Sequence, residues 1–259
     1  MRNLNQTLKA IMPIAKEAGS IILSYLDRNK NTEHKGDINL VTAADKESEK
    51  YIVENLQRLF PDDTIIAEEG HEKQGSSEYL WIIDPLDGTT SFAHNFPFFA
   101  VSIAMYNKEN IPLLGVVYNP FFNEYFEASK GGGAFLNQKV ISVTKTEKAS
   151  NSLIGTGFPY DRREKMKFIL DRLSRVLFVV HDVRRTGSAA LDICYVAAGR
   201  LDAYYEEGLN PWDTAAAYCI LLEAGGIASK FNNDQFDIYY PEIIASNKLI
   251  HNEIKEIVS

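Results

Sequence analysis

Trp81-Ile82-Ile83-Asp84-Pro85-Leu86-Asp87-Gly88-Thr89-Thr90 is the stretch on which the reading of this chain turns. An apolar run of strand character enters two aspartates spaced i, i+3. Pro85 cannot donate to a strand ladder, so it is expected to stop the strand and turn the chain. Asp87 then comes round to the side of Asp84, where one cation would touch both. Gly88 lets the backbone approach a ligand closely. If Gly88 and Thr89 open a helical turn, their N–H groups point at an anion. A surface turn with a helix cap would use the same residues.

Two further acidic sites favour the metal reading. Thr64-Ile65-Ile66-Ala67-Glu68-Glu69-Gly70 is a second short apolar run that ends in carboxylates. Pro211-Trp212-Asp213-Thr214-Ala215-Ala216 places an aspartate where a helix begins, a position that also suits a simple partner for the helix dipole. Together these residues offer oxygen donors without an adjacent Cys or His, a set suited to a hard cation such as Mg²⁺.

Working outward, Leu4, Leu8, Ile11, Ala15, Ala18, Ile22 and Tyr25 give one apolar helix face. Residues 29–39 read as a flap or hairpin around Gly36. Thr42 opens a second helix with Asp45 at the capping-box position and Tyr51, Ile52, Leu56 and Leu59 on its inner side. Strands are expected at 64–67, 79–83, 100–106, 112–118 and 124–128, with a tight turn at Gly131-Gly132-Gly133. The second part alternates. Strands are expected at 152–155, 177–181, 202–206 and 242–246, and helices at 162–176, 188–198, 213–224 and 248–258. Helices and antiparallel strands followed by alternating α and β predict an α/β protein of stacked layers. One domain spanning 1–259 is expected, its approximate halves 1–150 and 151–259 sharing one site.

Composition narrows the class. The chain has 259 residues, 45% hydrophobic and 24% charged, with a formal net charge of −8. Basic residues occur only in short runs, within 161–167 and at Arg184-Arg185, so nucleic-acid binding is not expected. An acidic protein that handles phosphate needs local positive charge, which bound cations supply. Cys194 and Cys219 lie in apolar, Ala-rich stretches and read as core residues of a reducing compartment. The sequence shows neither a signal-peptide pattern nor a membrane-length apolar run, so a cytoplasmic location is expected.

The motifs resemble the inositol monophosphatase family, and the likeness extends along nearly the whole chain. Leu40-Val41-Thr42-Ala43-Ala44-Asp45, Glu68-Glu69, Asp84-Pro85-Leu86-Asp87-Gly88-Thr89-Thr90-Ser91-Phe92 and Pro211-Trp212-Asp213-Thr214-Ala215-Ala216 occur in the family's order, with Glu223-Ala224-Gly225-Gly226 following. The resemblance implies an α/β/α/β/α sandwich and a homodimer, with Arg184, Arg185 and the next helix near the interface. It implies one Mg²⁺ on Glu68, Asp84 and the Leu86 carbonyl and a second on Asp84, Asp87 and Asp213. A weaker third lies near Glu68, and Mn²⁺ is a substitute. Hydrolysis would use metal-activated water oriented by Glu68 and Thr89, with no covalent phosphoenzyme. Gly88 and Thr89 would hold phosphate, while Asp87, Asp213, Gly187, Ser188, Ala189 and Glu206 would complete the substrate site.

The Phe92-Ala93-His94-Asn95-Phe96-Pro97 stretch is similar to the inositol-phosphatase form of the family, and His94 is read as structural. The expected substrate is therefore myo-inositol monophosphate among small polyol phosphates. Fructose 1,6-bisphosphate, histidinol phosphate and 3′-phosphoadenosine 5′-phosphate are sister possibilities, and a regulatory binding protein is the alternative of another class. The flap departs from the animal enzymes. It is one residue shorter, and Asn39 replaces an acidic residue. Lys35 and Asp37 are the candidates to compensate, and third-ion binding and lithium sensitivity depend on this point.

Overall fold

The computed structural model describes residues 2–26, 32–34, 40–232 and 235–259. The chain starts with α1 (Leu4–Ser24), capped where the Asn3 side chain accepts the Gln6 N–H at 3.1 Å. The apolar stripe predicted for this helix is buried from Leu8 to Ile22. β1 (Thr32–His34) and β2 (Leu40–Thr42) pair as the expected hairpin. Lys35, Asp37 and Asn39 lie outside the described residues. α2 (Ala43–Leu59) opens directly after Thr42.

Then come β3 (Thr64–Ala67), β4 (Glu72–Lys73), β5 (Tyr79–Asp87), α3 (Thr89–Ala93), β6 (Ala100–Asn107), β7 (Pro112–Asn119), β8 (Glu124–Ser129), β9 (Gly133–Leu136) and β10 (Lys139–Val140). They form an eight-stranded sheet in the order β10-β9-β8-β7-β6-β5-β3-β4. β3 and β5 run parallel within an otherwise antiparallel sheet. The second part contains β11 (Leu153–Thr156), α4 (Arg162–Val179), β12 (Asp182–Arg184), α5 (Ala189–Ala197), β13 (Ala203–Glu207), α6 (Pro211–Glu223), β14 (Ile227–Ser229), β15 (Glu242–Ser246) and α7 (His251–Val258). Its five strands order as β12-β11-β13-β15-β14.

Strand alternation assembles the layers. Trp81 and Ile83 of β5 face a core with α1 and α2, whereas Ile82 faces α5 and α6. The same α5–α6 layer meets Tyr204, Ile243 and Ala245 of the smaller sheet. The outer face of that sheet packs Ile154, Ala203 and Ile244 against Val176 of α4 and Ile254 of α7. The sequence of layers is α1–α2, large sheet, α5–α6, small sheet, α4–α7: the predicted α/β/α/β/α sandwich. Alanines let the layers close. A Cβ on Gly115 would lie 2.2 Å from the Ala216 carbonyl oxygen, so β7 admits α6 only with glycine there.

The structure corrects the expected strand at 177–181. α4 continues through Val179, and the strand lies at Asp182–Arg184. Leu177-Phe178-Val179 has strand-like composition, yet Phe178 is 92% exposed and fills no sheet face. Pro85 is also corrected. The β5–β6 ladder shifts register between Asp84 and Asp87 and resumes with Asp87 opposite Ala100, so Pro85 produces a bulge and not an end. Strands β4, β9, β10 and β14 were not anticipated. No described helix is long and apolar enough to cross a membrane.

Candidate metal centre and substrate pocket

Parallel pairing of β3 with β5 sets Ala67 opposite Ile83, and the Glu68 N–H donates to the Ile83 carbonyl at 3.2 Å. Glu68 and Asp84 therefore leave neighbouring strands at one level. Within the bulge the Leu86 N–H donates to Asp84 Oδ1 at 2.9 Å. Asp87 is delivered to the start of α5, where its Oδ2 accepts from the Ser188 hydroxyl and from the Ala190 N–H at 2.9 Å. That helix end has spare N–H groups and a positive dipole. Asp213 is the third residue of α6, and its Oδ2 accepts the Asn210 N–H at 2.6 Å in a capping box.

Asp84, Asp87 and Asp213 each offer an oxygen, and these oxygens lie within 4.8 Å of one another. Among the described residues none of the three has an ion-pair partner. Burial raises the Asp84 carboxyl well above the ordinary range, and the charges of Glu68, Asp87 and Asp213 add to it. Asp213 is raised in the same way by burial, then by Glu68 and Asp87. Burial pushes Asp87 up to about 6 against the opposing bonds from Ser188 and Ala190. Like charges held this closely are self-repelling, and a divalent cation would relieve them. The all-oxygen donor set fits Mg²⁺. Glu68 is close enough to bias Asp84 and Asp213 but lies outside the three-oxygen group.

Thr89 Oγ1 lies 3.1 Å from both Asp45 Oδ1 and the Leu86 carbonyl oxygen. The sequence assigned Asp45 a capping role; the structure buries it completely against Thr89. Gly88 precedes α3 at φ 88°, and a Cβ there would meet the Phe98 oxygen at 2.8 Å and the Gly187 oxygen at 3.2 Å. Only glycine fits both the conformation and the space.

Asp87, Gly88, Thr89 and Asp213 line a cavity of about 130 Å³. Tyr160, Arg162, Arg185, Gly187, Ser188, Ala189, Asp192 and Glu206 line it too. Every residue the sequence assigned to substrate therefore reaches this cavity. Ser188 also caps α5 by accepting the Leu191 N–H at 3.2 Å. The Tyr204 hydroxyl donates to Glu206, and burial pushes that carboxyl up to about 7. Sequence reading passed over Tyr160, Arg162 and Asp192. Asp192 is buried, accepts from the Thr186 hydroxyl through Oδ2 and leaves Oδ1 without a partner. Tyr160 is raised above the usual phenol range by burial and by Glu68, Asp213, Asp87 and Asp84. Its segment, Gly157-Phe158-Pro159-Tyr160, carries the turn residues that signal a loop, but nothing in it signals which loop meets the carboxylates.

The sequence pattern of the inositol monophosphatase family matches residues 3–259. The chain is 42% identical over 258 residues to inositol-1-monophosphatase of Synechocystis sp., an alignment covering 97% of this chain and 90% of that protein. It is 39% identical over 260 residues to the Nus factor SuhB of Vibrio cholerae, covering 98% and 97%. The fold superposes on the crystal structure of the extragenic suppressor protein suhB from Bartonella henselae with a TM-score of 0.93 at 35% identity, covering 98% of each chain.

Proposed function

This chain belongs to the inositol monophosphatase family, and from that premise we propose that it hydrolyses myo-inositol monophosphate and related small polyol and sugar phosphates with Mg²⁺. The observation that carries the reading is the convergence of the Asp84, Asp87 and Asp213 oxygens at a cavity that Glu206 also lines. Those three aspartates, with Glu68 and the Leu86 carbonyl, would hold two Mg²⁺ ions, with a third near Glu68 and Mn²⁺ as a substitute. Bound Mg²⁺ supplies a Lewis acid for phosphoryl oxygens, a lowered pKa for the attacking water and charge compensation for the leaving oxygen.

The protein's own groups do the positioning. Thr89 Oγ1, its proton directed to Asp45 Oδ1, presents lone pairs to the water, and Glu68 helps orient and deprotonate it. Gly88 and Thr89 N–H groups receive phosphoryl oxygens. Glu206 accepts hydrogen bonds from polyol hydroxyls, and the Gly187–Ala189 segment closes the polyol side. The test is phosphate release across a panel of inositol monophosphate, fructose 1,6-bisphosphate, histidinol phosphate and 3′-phosphoadenosine 5′-phosphate. Inositol monophosphate at the bottom of that ranking overturns the substrate choice while leaving the phosphatase in place.

A second reading, a regulatory binding protein, draws on the relative of 39% identity that is called a Nus factor. A variant without turnover that keeps the regulatory effect would support it. The homodimer belongs to the proposal as well, and sedimentation equilibrium tests it.

A further inference from the structure

Asp45, Ser48 and Glu49 lie on α2 at spacing i, i+3, i+4, one face of a helix. All three are fully buried, whereas Lys46, Glu47 and Lys50 between and beside them are exposed. Burying two carboxylates and a hydroxyl costs stability unless each is well hydrogen-bonded. Their partners fall on three places around the carboxylate centre: the start of α3, the bulge in β5 and the turn after β3. Asp45 Oδ1 lies 3.1 Å from the Thr89 hydroxyl. The Ser48 hydroxyl donates to the Pro85 carbonyl at 3.0 Å, inside the bulge that carries Asp84 and Asp87. Glu49 accepts the Glu69 N–H at 2.7 Å and the His71 N–H at 3.3 Å, and its Oε1 also meets the His71 ring Nδ1.

Glu49 thus grips the turn that immediately follows Glu68. No lysine or arginine forms an ion pair with it among the described residues; its partners are the turn's own N–H groups and the half-exposed His71. The outward residues of α2 serve solubility, and its apolar residues Ala44, Ile52, Val53 and Leu56 serve the core. The buried polar face is what remains, and it touches each segment that presents a carboxylate from β3 and β5.

We propose that this face of α2, with Glu49 at its centre, is a clamp that fixes the spacing of Glu68 relative to Asp84 and Asp87 and so sets the affinity of the site for a divalent cation. Glu49 and Ser48 are positioning residues: they act through the turn at 68–71 and through the 84–87 bulge, not on substrate. The inference rests on the metal reading of the carboxylates given above.

Calorimetric titration of the metal-free full chain with Mg²⁺ tests it without reference to turnover. Glu49→Gln keeps the size of the side chain but leaves one acceptor where two N–H groups converge. It is expected to weaken Mg²⁺ binding by about 10-fold or more, the usual consequence of losing a group that orients a ligand. Ser48→Ala is expected to weaken it by about 3-fold, as one neutral hydrogen bond would. Ile52→Val, on the apolar face of the same helix, lowers Tm and leaves the Mg²⁺ affinity unchanged. If Glu49→Gln does not fold, the contrast between Ser48→Ala and Ile52→Val carries the test. Unchanged affinity in the folded polar-face variants, or an equal loss in Ile52→Val, overturns the clamp. A wild-type chain that takes up no Mg²⁺ overturns the metal reading and the clamp with it, whereas Mg²⁺ uptake insensitive to the polar face overturns the clamp alone.

Discussion

Two walls of the site differ: the carboxylates of the first are tied down, whereas the second carries side chains without a hydrogen-bond partner. Asp84, Asp87 and Asp213 each accept a backbone N–H, from Leu86, Ala190 and Asn210. In the second, the side chains of Tyr160, Arg162 and Arg185 line the cavity and make no hydrogen bond or ion pair among the described residues. The first wall is built on strand ends and helix starts, where backbone geometry leaves little freedom. The second draws Tyr160 and Arg185 from connecting segments, which can change without disturbing the sheets, and Arg162 from the first position of α4. On the proposed function the difference amounts to a division of labour: fixed carboxylates would hold the cations, and the cationic and hydroxyl donors with Glu206 would meet the rest of the substrate.

The largest expected effect breaks the fixed wall. Asp87→Asn would remove a proposed cation ligand and should cut turnover more than about 100-fold, beyond the loss typical of a group that merely orients a ligand. Circular dichroism should show the fold retained. Activity near wild type in that variant refutes the proposed centre. The adaptable wall should respond selectively. Glu206→Gln is expected to lower kcat/KM for inositol monophosphate by roughly 10-fold, the scale of a hydrogen bond to a charged group. An aryl phosphate should lose much less, and equal losses on both substrates would remove the role given to Glu206.

The carboxylates also give the site a pH dependence. Asp87 is raised to about 6 in the folded protein. Its contribution to stability is therefore complete below the ordinary carboxylate value and is lost as pH rises through about 6. Mg²⁺ should offset that loss, so the rise in Tm it produces is expected to be larger at pH 8 than at pH 5. A smaller rise at pH 8 contradicts this.

The smallest effect lies away from both walls. His251 is wedged between the Ser246 and Ser229 hydroxyls at 2.8 and 2.9 Å. Burial pushes it down to about 4, with Lys255 adding to the effect. The unfolded chain takes the proton first, so this stability is present above the ordinary histidine value and is lost as pH falls toward 4. In denaturant titrations with Mg²⁺ present, His251→Gln should flatten the stability profile between pH 6.5 and 4; an unchanged slope contradicts the assignment.

Much of the fixed wall is legible in the sequence because its residues sit at element boundaries. Asp84, Glu68 and Asp213 each mark the end of an apolar run or the start of a helix, and the layers follow from periodicity. The positioning face of α2 is not legible. Within Asp45-Lys46-Glu47-Ser48-Glu49, period alone cannot tell which polar residues turn inward, because the apolar stripe leaves room for either face to be wet. Phe178 misled for the opposite reason: its side chain suits a strand, but no sheet surface waits for it. Tyr160 and Arg185 reach the site only through loop paths and layer stacking, which no local pattern encodes. Pro85 signals a strand end, but its partner strand β6 lies beyond the next turn and decides that pairing resumes at Asp87.

The most direct test of the central claim is phosphate release from myo-inositol 1-phosphate by the purified full chain, measured with Mg²⁺ and with excess chelator. The account predicts release that requires Mg²⁺ and ranks first or near first among the small phosphate esters named above. No release in Mg²⁺, or release unaffected by the chelator, would contradict it.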